Sequence, residues 1–167
     1  RDGALTKYFL QGNEVWGADI DEISLGRAKE LGIKTVLMDL NGDWLELSGQ
    51  KFDVIVAAEV LEHLYYPEEN IKKIVSFLNK DSFLIGSVPN AFSLKNRLRY
   101  LMGNKKFTPL ADPTHINQFN YQELETLLKK YFQEVEIIGL GRYARLAKLT
   151  PNYFAFIFFF YAKSPKF

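Results

Sequence analysis

Cysteine is absent from this chain of 167 residues. Its absence excludes a disulfide bond, a thiol nucleophile and any zinc or iron–sulfur site built on cysteine ligands. It also fits a reducing compartment, so we expect a cytoplasmic location. Long apolar runs are absent too. The most apolar stretch, residues 153–161, falls well short of the ~18 residues that a membrane-spanning helix needs.

An excess of one charge is missing as well, because 21 basic residues face 20 acidic ones and the formal net charge is +1. The balance gives no reason to expect a nucleic-acid partner. Histidine is scarce, which leaves His63 and His115 as the two side chains suited to proton transfer near neutral pH. A starting methionine is also missing: the chain opens at Arg1, directly before a helical pattern, so we expect its natural start to lie upstream.

The first half of the chain alternates between strand and helix patterns. This alternation predicts repeated βα units and a parallel sheet. An apolar run such as Phe52–Ala58 is typical of a strand buried on both faces. The predicted helices cover residues 4–10, 22–31 and 70–78, and the predicted strands cover residues 14–19, 34–39, 52–58 and 82–88, with a turn at 79–81.

The second half has a different character. Residues 93–102 form an amphipathic pattern that predicts a helix with its leucines on one face and its basic residues mostly on the other, followed by a loop over 103–117 and a helix over Tyr121–Tyr131. The last two predicted strands, 135–138 and 153–162, have no helix between them, so we expect them to pair antiparallel. The stretch 90–118 contains five basic residues. They indicate either a lid that recognises a phosphate, a nucleotide-sugar or a lipid headgroup, or simply the solvated face of a helix.

Two predicted strands end in an acidic residue, Asp19 and Asp39. In a doubly wound sheet, ligands bind beyond the carboxyl ends of the strands. A carboxylate after the first of these strands can accept both hydroxyls of a ribose, and one after the next can accept the exocyclic amine of adenine. Solvated loop aspartates are the alternative, but together the pair predicts an adenosine site.

These segments, in this order, resemble the class I S-adenosylmethionine-dependent methyltransferases over essentially the whole chain. Gly3 resembles the last glycine of their glycine-rich first motif, and Asp112-Pro113-Thr114-His115 resembles a later segment that covers the acceptor. The most specific likeness is the run from Phe52 through Glu59-Val60-Leu61-Glu62-His63. The resemblance implies a single Rossmann-like domain over 1–167: a doubly wound, mostly parallel sheet with an antiparallel C-terminal strand in a three-layer αβα sandwich. Its first strand and most of its glycine-rich loop would lie upstream, and residues 90–118 would form a lid-like insertion.

The resemblance also implies S-adenosylmethionine as cofactor and a small-molecule, glycan or lipid acceptor methylated at oxygen. His63 and His115 are then the candidate catalytic bases, with a structural role in the turn as the alternative for His63. A homodimer is one possible assembly. The cofactor-binding residues that it implies are Gly3, Asp19, Ile20, Asp39, Leu40, Ala58 and Glu59.

Three alternatives stay open at this point. Glu59, Glu62 and His63 share a face if their segment is helical, and with His115 they form a candidate set for Mg²⁺, Mn²⁺ or Zn²⁺, although we expect no metal. A nicotinamide-dependent oxidoreductase also ends its second strand in an acid, but it gives no role to Asp39. A non-catalytic protein of the same fold is suggested by Arg1, which stands where the family usually has glycine.

Overall fold

The computed structural model describes residues 3–4 and 6–166, and the chain divides into two compact units, residues 1–50 and 51–167. We call these the N-terminal unit and the C-terminal unit. The N-terminal unit consists of strand β1 (Trp16–Asp19), helix α1 (Glu22–Glu30) and strand β2 (Lys34–Leu37). The two strands are parallel, and Asp19 pairs with Leu37. Their carboxyl ends therefore share one edge.

Helix α1 begins at Asp21, whose carboxylate accepts a hydrogen bond from the Ile23 amide at 2.9 Å. Leu25 and Ala28 on this helix are buried, but Ile23 is 70% exposed. The N-terminal unit therefore covers only some of the apolar residues of α1. Before β1, the helix predicted over residues 4–10 is a single 3-10 turn at Thr6–Phe9.

The C-terminal unit contains a four-stranded sheet in the order β3-β4-β6-β5. Strand β3 runs parallel to β4, whereas β6 runs antiparallel to both of its neighbours, as predicted for the C-terminal strands. Its strands are β3 (Phe52–Ala58), β4 (Leu78–Pro89), β5 (Phe132–Leu140) and β6 (Ile157–Pro165), and its helices are α2 (Pro67–Phe77), α3 (Leu94–Leu101), α4 (Tyr121–Tyr131), α5 (Ala144–Ala147) and α6 (Pro151–Phe154). None of the described helices is long and apolar enough to cross a membrane.

The core of the C-terminal unit follows the two-residue period of its strands. Phe158 and Phe160 of β6 are fully buried, as is Leu84 of β4, while Leu124 and Leu128 of α4 are also fully buried. The capping box at the start of α4, in which Asn120 and Glu123 bond each other's backbone amides, begins this helix at the residue that the sequence predicts. The alternating aromatic residues Phe154, Phe156, Phe158 and Phe160 predict core positions, and this prediction holds for Phe158 and Phe160 within β6 but not for Phe156, which is 59% exposed.

Three details of the C-terminal unit differ from the prediction. Residues 79–81 lie within β4 rather than in a turn, where they bulge opposite Asp53 between the Phe52–Leu78 and Val54–Phe83 pairs. The last strand begins at Ile157 rather than at residue 153, because Pro151 opens helix α6. Helices α5 and α6 also separate β5 from β6, where we expected no helix.

Candidate active site

Asp19 and Asp39 lie at the same edge of the N-terminal sheet. The amide of Met38 donates to the carbonyl of Asp19 at 3.0 Å, so the chain leaves both strands side by side. Each carboxylate is oriented by a backbone N–H two residues later: Asp21 at 3.1 Å for Asp19, and Asn41 at 2.8 Å for Asp39. Two acceptor side chains therefore start the loops at one sheet edge, as an adenosine site requires.

The two apolar positions predicted beside these acids differ in exposure. Ile20 is 70% exposed, which is high for an isoleucine and leaves a free apolar surface next to Asp19. Leu40 is half-buried, and its carbonyl accepts from the indole Nε1 of buried Trp44 at 2.9 Å. Trp44 thereby holds the loop that follows Asp39.

Gly3 is buried, with a φ of +77° that favours glycine. A Cβ atom there would lie 2.7 Å from Cδ1 of Ile33 and 3.3 Å from Cα of Ala28. Such close packing against a helix is the role of the last glycine in a dinucleotide-binding loop. The other residues of the predicted motif, Arg1 and Asp2, lie outside the described residues.

At the carboxyl end of β3 the backbone turns sharply. Ala58 pairs with Ser87 of β4, and Glu59 adopts a left-handed φ of 53°. The Ser87 carbonyl accepts from the Glu59 amide at 3.0 Å, and the Ser87 hydroxyl donates to its carboxylate at 2.8 Å. A non-glycine residue in this conformation is strained, and such strain is common at functional sites. It also stops any helix from running through Glu59.

Glu62 follows in a short 3-10 turn, Leu61–His63, and its side chain is fully buried. Within the described part of the chain, neither of its carboxylate oxygens has a hydrogen-bond partner. Loss of water on burial, with a smaller contribution from the charges of Glu59 and Asp112, raises the pKa of Glu62 to about 7. A buried carboxyl without a protein partner is rare and calls for an explanation.

The structure brings His63 and His115 together, although they are far apart in the sequence. Their ring centroids lie 4.7 Å apart in an edge-to-face arrangement. The His63 Nδ1 lies 3.0 Å from the Thr114 carbonyl, and the His115 Nδ1 lies 3.2 Å from the Pro109 carbonyl. Because a carbonyl only accepts, Nδ1 carries the proton in each neutral ring and Nε2 keeps its lone pair.

Asn117 fastens the His115 loop to the Glu62 turn. Its amide donates to the Glu62 carbonyl at 2.9 Å, and its side-chain NH₂ donates to the Leu64 carbonyl. Sequence reasoning missed Asn117, because only its position after the Asp-Pro-Thr-His segment pointed to it. It also missed the Thr114 and Pro109 carbonyls, which any residue could supply.

One ligand atom from each of Glu62, His63 and His115 lies within 4.8 Å of the others. We call these three residues the Glu–His–His cluster. Glu59 does not join it, because the predicted helical spacing fails at its left-handed backbone and its carboxylate accepts from Ser87 instead. Asp112 lies at its rim, with Oδ2 3.7 Å from the Nε2 of His115. Hydrogen bonds from the Thr114 hydroxyl and amide lower the pKa of Asp112, so it stays charged.

Helix α3, within the predicted lid-like insertion, presents its leucines outward rather than inward. Leu98 is 52% exposed and Leu101 is 83% exposed, whereas Asn96 is buried. The Asn96 side chain donates to the carbonyl of buried Asn90 at 3.0 Å, so a polar contact sets which face turns inward. The apolar face of this helix is therefore exposed in the C-terminal unit.

An open cleft of about 460 Å³ lies on this helix, lined by Phe92, Arg97, Tyr100 and Leu101. The Arg97 guanidinium lies 5.9 Å from the Phe92 ring centroid and donates from Nε to the Phe92 carbonyl at 2.7 Å. Within the described residues, the buried hydroxyl of Tyr100 has no hydrogen-bond partner. The cleft thus combines apolar walls with a cation.

Comparison with known proteins extends these observations. A family model described as a methyltransferase domain matches residues 1–132. A protein of Mycobacterium tuberculosis named as a probable S-adenosylmethionine-dependent methyltransferase is 28% identical over 141 residues, covering 84% of this chain and 48% of that protein. The chain thus spans about half the length of the curated relatives it matches.

Solved structures share the fold. The N-methyltransferase NodS from Bradyrhizobium japonicum, solved with S-adenosyl-L-homocysteine, has a TM-score of 0.64 at 18% identity, covering 99% of this chain and 74% of its own. A methyltransferase from Archaeoglobus fulgidus has a TM-score of 0.68 at 20% identity, covering 95% and 80%. The predicted Rossmann-like α/β class is confirmed.

Proposed function

Because this chain belongs to the class I S-adenosylmethionine-dependent methyltransferase family, we propose that the protein methylates an oxygen atom of a small-molecule, glycan or lipid acceptor. The observation that carries the proposal is the pair of acids, Asp19 and Asp39, at one edge of the N-terminal sheet. The family match favours this reading over a nicotinamide-dependent oxidoreductase, which gives no role to Asp39.

The residues of the N-terminal unit fit an adenosine group. Asp19 would accept the two ribose hydroxyls, and Asp39 would accept the exocyclic amine of adenine. The exposed Ile20 and the half-buried Leu40 would pack against the base, while Gly3 keeps the loop close to α1. S-adenosylmethionine, when bound, supplies an electrophilic methyl group carried on a sulfonium ion.

The residues of the C-terminal unit fit the removal of a proton from the acceptor. Ala58 and Glu59 end β3, where the family resemblance places cofactor contacts. A hydroxyl that attacks a methyl group must lose its proton, and the Nε2 atom of His63 or His115 has the lone pair to accept it. An amine acceptor has less need of such a base, which is why we propose an oxygen acceptor.

Helix α3 supports an acceptor with an apolar part and an anionic part. Its exposed leucines and the cleft beside Tyr100 offer apolar contact area. From residue 82 to residue 111 the sequence contains five basic residues and no acidic one. A lipid or glycosyl lipid with a negatively charged headgroup matches both features.

The test is calorimetric titration of S-adenosylhomocysteine into the full-length protein and into Asp19→Ala. We expect micromolar binding to the parent and a loss of about 100-fold in the variant, because two hydrogen bonds to a charged group disappear. Asp43→Ala is the matched control: it removes another exposed acid of the same unit, whose carboxylate accepts from the Leu45 amide at 3.3 Å. It should bind like the parent.

Absence of binding to the folded parent would refute the enzyme proposal and favour a non-catalytic relative. If binding is found, methyl transfer to hydroxylated and aminated forms of one lipid acceptor separates oxygen from nitrogen as the target. Faster methylation of the amine would contradict the proposed oxygen acceptor.

A further inference from the structure

The buried carboxylate of Glu62 needs a partner that the described protein atoms do not supply. Its side chain has no exposed surface, and both oxygens lack a hydrogen bond within the described residues. Removing a carboxylate from water without a partner costs several kcal/mol, so such groups are paired or bind a cation. One ligand atom of each histidine in the Glu–His–His cluster lies within 4.8 Å of a Glu62 carboxylate oxygen.

Both histidines are oriented as metal ligands usually are. A ligating imidazole typically donates its second ring N–H to a backbone carbonyl or a carboxylate, which fixes the ring and its tautomer. Here the Thr114 and Pro109 carbonyls accept from the Nδ1 atoms of His63 and His115 at 3.0 and 3.2 Å. Each ring therefore offers Nε2.

We propose that Glu62, His63 and His115 bind one divalent transition-metal cation through a carboxylate oxygen and two imidazole nitrogens. Imidazole nitrogen suits Zn²⁺, Fe²⁺ and Mn²⁺ better than Mg²⁺ or Ca²⁺, which prefer sites made of oxygen ligands alone. Three protein ligands leave at least one coordination position for water or another oxygen. Neither Glu59, which accepts from Ser87, nor Asp112, which accepts from Thr114, belongs to this set.

The spacing of the cluster is slightly wider than a bound cation requires. Its ligand atoms lie within 4.8 Å of one another. Ligand distances of ~2.1 Å in a tetrahedral site place neighbouring ligand atoms ~3.4 Å apart. The ligand atoms must therefore approach one another by up to about 1.4 Å, and half-buried His115, carried on a loop, can make this adjustment.

The site would also define how the acceptor is activated, a consequence that rests on the proposed methyl transfer. An acceptor hydroxyl bound at the open position would have a lowered pKa and would lose its proton to solvent water more readily. The histidines would then act as ligands rather than as bases. Cation binding itself does not depend on methyl transfer, so the two proposals fail separately.

The first experiment titrates Zn²⁺ and Mn²⁺ into chelator-treated full-length protein, without cofactor, by calorimetry. We expect one cation per chain, with affinity at least 100-fold weaker in Glu62→Gln and in His115→Ala. Glu62→Gln keeps the side-chain shape, so it separates the loss of a ligand from the loss of folding. Glu134→Gln, at an exposed position of β5, is the control and should bind the cation like the parent, whereas Glu59→Gln tests whether that carboxylate is a further ligand.

A spectroscopic readout complements the titration. Co²⁺ bound to two nitrogens and one oxygen in a low-coordinate site gives intense visible bands, which Glu62→Gln should abolish. Equal affinity in parent, Glu62→Gln and His115→Ala, or loss of binding in Glu59→Gln, would overturn the assigned ligand set. Titration of S-adenosylhomocysteine into the same samples reports separately on the cofactor proposal.

Discussion

The two units of the chain hold their candidate functional groups in opposite ways. In the N-terminal unit, Asp19 ends β1 and Asp39 lies two residues after β2, and their carboxylates are oriented by amides two residues away. In the C-terminal unit, Glu62 is fully buried and its cluster joins segments far apart in the sequence. Local geometry makes the first site, and tertiary packing makes the second. Substitutions should therefore affect binding in the first and stability in the second.

Among the candidate site residues, the largest expected effect on stability is at Glu62. Because its pKa in the folded protein, about 7, lies above the ordinary value of 4.5, the folded state holds this proton more tightly than the unfolded chain. Stability is therefore fully present below pH 4.5 and falls as the pH rises through 7. Glu62→Gln removes this loss and should raise the free energy of unfolding at pH 8 by up to about 3 kcal/mol in the presence of a chelator.

Urea unfolding of Glu62→Gln and of the parent at pH 5 and pH 8 measures this effect. The difference between the two proteins should grow with pH. A difference that is the same at both pH values would mean that the buried carboxyl is not the source, and it would weaken the contrast between the units. Glu134→Gln, at an exposed position of β5 in the same unit, serves as control.

A smaller effect, on binding rather than stability, is expected at Asp39. Asp39→Ala should weaken S-adenosylhomocysteine binding about tenfold, the equivalent of one hydrogen bond of about 1.4 kcal/mol. Thermal unfolding should change little, because the side chain is exposed and makes a local turn with Asn41. A clearly lower unfolding midpoint in Asp39→Ala than in the parent would show that this acid has a structural role.

The smallest effect on stability is expected at Leu98 of α3. Leu98→Ser should change the free energy of unfolding by less than about 0.5 kcal/mol, because this leucine is already half-exposed. It should still lower kcat/KM for an apolar acceptor, as measured by steady-state methyl transfer. Leu124→Ser, at a fully buried position, should instead destabilise the unit strongly. Comparing the two variants therefore tests which of the two leucines packs in the core.

Sequence reasoning succeeded where local rules decide the structure. Helix α4 occupies the predicted residues because its capping box lies within a few residues of its start. The shared edge of Asp19 and Asp39 follows from the parallel arrangement of the strands that precede them. Both predictions needed only neighbouring residues and the βα alternation.

It failed where distant contacts decide. Gly139 of β5 allows the methyl groups of Ala147 and Ala155 to approach, since an added Cβ would lie 3.1 and 2.8 Å from them. This close approach seats the two short helices that the sequence did not predict. Likewise, no spacing rule shows that Ser87 would hold Glu59 away from the cluster. In both cases, residues on another structural element determine the local arrangement.

The hydrogen bond from the Asn117 amide to the Glu62 carbonyl makes this amide a reporter of loop opening in the C-terminal unit. An amide proton in such a bond exchanges with deuterated water only when the loop lifts from the turn. Its exchange rate thus counts how often His115 leaves Glu62 and His63. A slow rate that salt and acceptor do not change would mean that the three side chains wait in place for whatever they bind.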